Sequence, residues 1–207
     1  MHVQKKRYGF TLVELLLFMG LSAIMGTTLI SVYIATQEAR LRQQGIAAVE
    51  QRGTQILEMI VKNVRRGEKI LAPLQGKSGA VLTLQMGLNS EFPTIFGRTV
   101  SGQLLLIQKT STAALLSPKV TISKLLIKNI EGKSVQFTFS LTAAIPSVPP
   151  QKYTKEFAGT ATLYVDDQSD AGGCGSCAVP VCTAGTYQWF HCVSDTCLSD
   201  SEKLMCP

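Results

Sequence analysis

Three hydrophobic patterns succeed one another along the chain. From Leu15 to Ala35 there are 21 residues without a charged side chain, roughly 31 Å as α-helix and enough for the ~30 Å hydrocarbon core of a bilayer. From 37 to 66 the apolar residues fall at Ile46, Val49, Ile56, Leu57, Ile60, Val61 and Val64, spaced by threes and fours. That spacing predicts an amphipathic helix continuing from the span, with one face toward a core. Arg65 and Arg66 suit the negative end of its dipole and Gly67 ends it. Gly45 and Gly53 predict a kink or local fraying.

Beyond the helix the pattern changes to strands. Ala80 to Met86, Gln103 to Lys109, Lys119 to Ile130, Ser134 to Thr142 and Tyr153 to Val165 are rich in β-branched and aromatic residues and separated by Gly, Pro, Asn and Ser. The clearest alternation sets Val135, Phe137, Phe139 and Leu141 on a core face and Ser134, Gln136, Thr138 and Ser140 on a solvent face. Glu131-Gly132-Lys133 reads as the turn of a hairpin. The expected fold is α+β, a long amino-terminal helix packed on an antiparallel β-sheet.

Charge divides the chain further. Residues 10 to 165 carry 16 Lys and Arg against 8 Asp and Glu, a net +8, whereas residues 166 to 207 carry one lysine against six acids, a net −5. Lys5, Lys6 and Arg7 stand immediately before the span, which by the positive-inside rule keeps the amino terminus cytoplasmic and sends the body outward; Arg40 and Arg42 oppose this weakly. About 130 residues lie between span and Val165, enough for one modest globular domain.

The segment Gly9-Phe10-Thr11-Leu12-Val13-Glu14, between that short basic leader and the apolar run, resembles the class III leader of type IV prepilins and pseudopilins. The resemblance implies cleavage after Gly9 by a membrane-embedded prepilin peptidase at the cytoplasmic face and N-methylation of the new first residue, Phe10. It divides the chain into a cleaved leader (1–9), a transmembrane stalk helix (10–36) and a pilin-like globular domain (37–165, helix 37–66 and strands 80–165), with 166–207 as an acidic linker and cysteine-rich tail. The protein is then expected first in the lipid bilayer of the cytoplasmic (inner) membrane, single-pass with its body outside, and later in an extracellular or periplasmic filament with other pilins or pseudopilins. Glycine admits the backbone to a narrow protease cleft. The new α-amine, with an ordinary pKa of about 7.7 to 8.0, stays largely cationic. In a filament the Glu14 carboxylate of one subunit would pair with the Phe10 amine of a neighbour, which offsets the cost of burying both and fixes axial register.

Two other readings of the amino terminus are weaker. A secretory signal peptide has a shorter apolar region and a small-x-small site after it, for which Ala35-Thr36-Gln37 is a poor candidate. An ordinary anchor leaves Gly9 and Glu14 without a reason. A lipoprotein is excluded because no cysteine precedes Cys174. Val49 to Leu57, Val64 to Glu68 and Glu156 to Leu163 further resemble PilW-type minor pilins and the J-type minor pseudopilins of type II secretion, subunits at or near the filament tip that help start assembly. Unlike many major pilins the span has no proline, and Gly20, Gly26, Thr27 and Thr28 are expected to allow local unwinding in its place.

The tail holds all six cysteines, Cys174, Cys177, Cys182, Cys192, Cys197 and Cys206. In an exported segment that number reads as three disulfides, with fifteen connectivities open. A metal site built on Cys174, Cys177, Cys182 and His191-Cys192 is the rival, weakened by the missing second paired-cysteine spacing. A thioredoxin-like pair at Cys174 and Cys177 lacks the βαβ context. His191 is expected in an exposed loop. Trp189 and Phe190 are expected to fill the space between disulfides, or else, with Tyr187 and His191, to form a contact surface. Three function classes follow in decreasing weight. The first is a structural and assembly subunit without catalysis, metal or cofactor. The second is a membrane-anchored or pilus-tip adhesin acting through the tail on a surface or on nucleic acid, against which Lys109, Lys119, Lys124, Lys128 and Lys133 are spread along strands rather than clustered. The third is an enzyme, for which no Ser-His-Asp set, paired carboxylates or phosphate loop is present.

Overall fold

The computed structural model describes residues 12–88, 90–146, 150–164, 177, 179–193 and 196–206. The chain divides into two units, Met1–Gln43 and Gln44–Pro207.

The first unit is the amino-terminal part of one helix, α1 (Leu12–Arg66). Its large apolar residues, Leu12 to Ile34, are exposed throughout. The hydroxyls that interrupt this apolar surface are satisfied within the helix. Thr27 and Thr28 donate to the carbonyls of Ile24 and Met25 at 2.9 and 2.8 Å, and Ser31 and Thr36 to those of Thr27 and Val32 at 3.0 and 2.8 Å. Back-bonding of this kind removes the polar cost of a hydroxyl in an apolar medium. The helix runs unbroken through Gly20, Gly26, Thr27 and Thr28, where local unwinding was expected.

In the second unit α1 buries Val49, Gly53, Ile56, Ile60, Asn63 and Val64, one stripe at spacings of three and four. Two antiparallel sheets meet it. One has five strands in the order β1 (Gly67–Ala72), β3 (Val81–Met86), β4 (Thr94–Arg98), β5 (Leu104–Gln108) and β6 (Ser111–Ala114). The other has four, in the order β2 (Ser78–Gly79), β7 (Val120–Ile130), β8 (Ser134–Ile145) and β9 (Gln151–Thr162). The two sheets and α1 share one core, with Leu82, Leu84, Phe96 and Leu104 from the first and Ile122, Phe137, Phe139 and Phe157 from the second. Where a single sheet was expected there are two, and β1, β2, β4 and β6 lie outside the strands that the sequence pattern predicts.

Local chemistry explains the joins. Val135, Phe137, Phe139 and Leu141 are fully buried, as their alternation predicts, whereas Ser140, expected on the solvent face, is buried too. Glu131 and Gly132 at the β7–β8 turn both lie in the left-handed region, φ 55 and 75°, and the Asn129 side chain accepts from the Gly132 amide at 3.1 Å while donating to the Pro73 carbonyl at 2.8 Å. Gly53 neither kinks nor frays α1: a Cβ there would lie 2.0 Å from the Phe157 ring. Glycine at 53 is what lets β9 press an aromatic ring, itself stacked on Phe139 at 5.3 Å, against the helix.

Candidate functional sites on the apolar helix and the cysteine-rich tail

Glu14 occupies the first turn of α1, where the exposed amide ends of the helix favour a carboxylate. The residues after it form a helix long and apolar enough to cross a membrane, with mean hydropathy 2.0 over its best 18 residues and none of that stretch buried in the fold. Gly9 and Phe10 lie outside the described residues, as does Cys174.

The tail folds as a third, three-stranded antiparallel sheet of β10 (Val181–Thr183), β11 (Thr186–Val193) and β12 (Thr196–Glu202). Ala184 and Gly185, at φ 49 and 77°, turn β10 into β11. Two disulfides bind it: Cys177–Cys197 joins the segment before β10 to the start of β12, and Cys182–Cys206 joins β10 to the segment after β12. These four sulfurs are therefore not available as thiolate ligands, and Cys177 is paired with Cys197 rather than Cys174, which removes the basis of the metal and thioredoxin-like readings at those positions. Among the described residues no group of three His, Cys, Asp or Glu side chains converges as a metal site.

The tail does not rely on its staples alone. Tyr187, Trp189 and Leu204 are buried together with Val81, Ile95 and Ile107, with Cys182 and Cys206 packed at the side. Val81, Ile95 and Ile107 belong to the face of the five-stranded sheet opposite the main core. That is why β3 and β4 are buried residue after residue instead of alternately. Trp189 donates from Nε1 to the Lys109 carbonyl at 3.4 Å. The Tyr187 hydroxyl lies 2.6 Å from that of Thr83. Burial pushes the Tyr187 phenol up to about 12, against a smaller lowering by the Thr83 hydrogen bond. The Met205 amide donates to the Arg98 carbonyl at 2.7 Å, and Arg98 in turn donates from Nη1 to the Ser123 carbonyl. Close approach at Leu204 requires Gly97, where a Cβ would stand 2.6 Å from Leu204 Cδ1.

Three expectations for the tail are corrected. Trp189 packs on the neighbouring sheet as well as beside a disulfide, because the tail borrows an apolar face it is too small to build for itself. Tyr187 and Trp189, at 4 % and 3 % exposure, supply no free contact surface, and of the three aromatics only Phe190 is half-buried. His191 is a buried strand residue rather than a loop residue. Its Nδ1 stands 3.3 Å from Asp200 Oδ2, close enough for an ion pair when the imidazole is protonated but outside hydrogen-bond geometry. Nothing in the Cys-rich composition pointed to Leu204 or Thr83; the available signal was the apolar run Val81-Leu82-Thr83-Leu84, whose lack of alternation implies a second covered face. No family model, curated protein or solved structure matches the chain.

Proposed function

We infer that this chain is a minor pilin or pseudopilin, a non-catalytic assembly subunit of a type IV pilus or type II secretion-like filament, inserted in the inner membrane and processed at Gly9 by prepilin peptidase. The observation that carries the reading is the division of α1. Its amino-terminal part bears Glu14 followed by a wholly exposed apolar surface, and its carboxy-terminal part buries a stripe in an antiparallel β core. A soluble domain has no use for the first part, and a carboxylate at the head of a membrane span carries an insertion cost that a plain anchor avoids with a neutral residue. In a filament both are used: apolar stalks bundle side by side, and each Glu14 meets the methylated Phe10 amine of a neighbouring subunit.

The disulfide-linked tail supports export of the second unit, because such bonds persist in oxidising compartments. For the adhesin alternative the aromatics are fewer, since Tyr187 and Trp189 are buried in docking the tail and Phe190 alone of the three is half-buried.

The test pairs two variants in cells carrying the cognate peptidase and filament machinery. Gly9→Leu is expected to leave the leader uncut. Glu14→Val is expected to be cut normally yet to enter sheared filaments at least about tenfold less, the loss of a buried ion pair being worth more than one decade. Normal incorporation of Glu14→Val sinks the pairing, and normal processing of Gly9→Leu sinks the prepilin reading.

A further inference from the structure

We propose that the end of the β7–β8–β9 sheet bearing Lys119 and Lys152 is a binding site for a phosphate group. A cleft of about 260 Å³ opens there on the outer face, lined by Pro118, Lys119, Thr121, Thr142, Ala144 and Lys152. Strand register builds it. Val120 lies across from Ala143, so Lys119 flanks Ala144, which pairs with Lys152. The two lysines thus stem from positions two strand spacings apart, roughly 9.6 Å at the backbone, with only a methyl group between them. The adjoining row is Thr121, Thr142 and Thr154. The Thr142 and Thr154 hydroxyls share a hydrogen bond at 2.9 Å, and Thr121 reaches the Thr142 carbonyl at 3.5 Å. Lysine walls and a threonine floor result.

Neither ammonium has an ion-pair partner among the described residues. Glu156 is four residues along β9 from Lys152, about 13 Å, and faces Lys124 across Ser140. Glu50 is held by Lys155 at 2.7 Å, on the alternate face of β9. Two positive charges therefore line one open cleft, and the carboxylate on the same face of β9, Glu156, is set apart along the strand beside Lys124. Two flexible ammonium groups suit a tetrahedral dianion, which accepts from both at once and from the one hydroxyl proton that the Thr142–Thr154 hydrogen bond leaves free. The lining offers neither a guanidinium fork nor an aromatic platform, so the charged group itself, not a base or a sugar ring, is what the cleft recognises.

The experiment uses the full chain in neutral maltoside micelles at fixed ionic strength and follows the phosphorus-31 linewidth of inorganic phosphate and, separately, glycerol 3-phosphate. Saturable broadening is expected. Lys119→Gln/Lys152→Gln should weaken it at least about tenfold, combining about threefold or more per lysine, while Lys124→Gln/Lys128→Gln, two lysines of the same face outside the cleft, should leave it unchanged. Broadening by inorganic phosphate alone identifies a free-anion site, and broadening by both identifies one for an esterified phosphate. No saturable broadening with either probe, or equal losses in the two double variants, overturns the proposal.

Discussion

Gly53→Ala should destabilise the protein even though alanine is the better helix former. In an exposed helix interior this exchange stabilises by about 1 kcal/mol, through propensity and a less flexible unfolded chain. Here the added Cβ would stand 2.0, 2.3 and 2.4 Å from Cζ, Cε2 and Cε1 of Phe157, which is overlap with a ring rather than contact. The ring cannot simply retreat, because Phe157 is 9 % exposed and stacks on the fully buried Phe139. Inserting a methyl group into a packed core costs about 1–3 kcal/mol, and an overlap this deep belongs at the upper end. The net expectation is a loss of about 1–2 kcal/mol. Denaturant unfolding of the full chain in micelles measures it, read by far-ultraviolet circular dichroism and by the fluorescence of the chain's one tryptophan. On a Phe157→Leu background the overlap is relieved, so the same exchange should become neutral or stabilising, a coupling of at least about 1 kcal/mol. A stabilising Gly53→Ala on the wild-type background would refute the packing of β9 on α1 described above.

Two further outcomes concern the tail. Cys182→Ser/Cys206→Ser opens a loop with a sequence separation of 24, for which chain entropy alone gives a loss of about 3.4 kcal/mol; denaturation compared with the oxidised parent checks it, and an unchanged midpoint would mean that the tail docks without its staple. Tyr187 has its folded-state pKa raised from 10 to about 12 by burial, so its contribution is fully present below pH 10 and is lost as pH rises from 10 through 12. That contribution amounts to at most about 2.7 kcal/mol for a two-unit shift; the stability of Tyr187→Phe should fall less steeply over that window, and equal slopes would place the phenol in water.

Much of this architecture is legible in the chain because each element is dictated by one strong pattern. The span, the stripe at Val49, Ile56, Ile60 and Val64, and the alternation of β8 each have a single face to bury. The Glu131-Gly132 turn announces itself by composition. What sequence did not yield is the second layer of burial. Thr94–Arg98 is short, follows a proline, contains Gly97 and is covered on both faces, so neither length nor period marks it as a strand. Gly53 reads locally as a helix weakener and Gly97 gives no local signal, and only tertiary contact shows that Phe157 and Leu204 occupy the missing side chains' space. The tail's disulfide character was evident from six cysteines, whereas its docking rests on Tyr187, Trp189 and Leu204, three residues scattered among polar neighbours.

The central claim, a processed filament subunit with an oxidised tail, is tested most directly by the intact and fragment mass of the protein taken from native membranes without reduction. The account predicts a mature chain that begins at Phe10, carries one added methyl group on its amine and lacks six cysteine hydrogens, with peptides linked Cys177–Cys197 and Cys182–Cys206. A chain that retains Met1 to Gly9 with an unmodified Phe10 would contradict it and leave a plain membrane anchor.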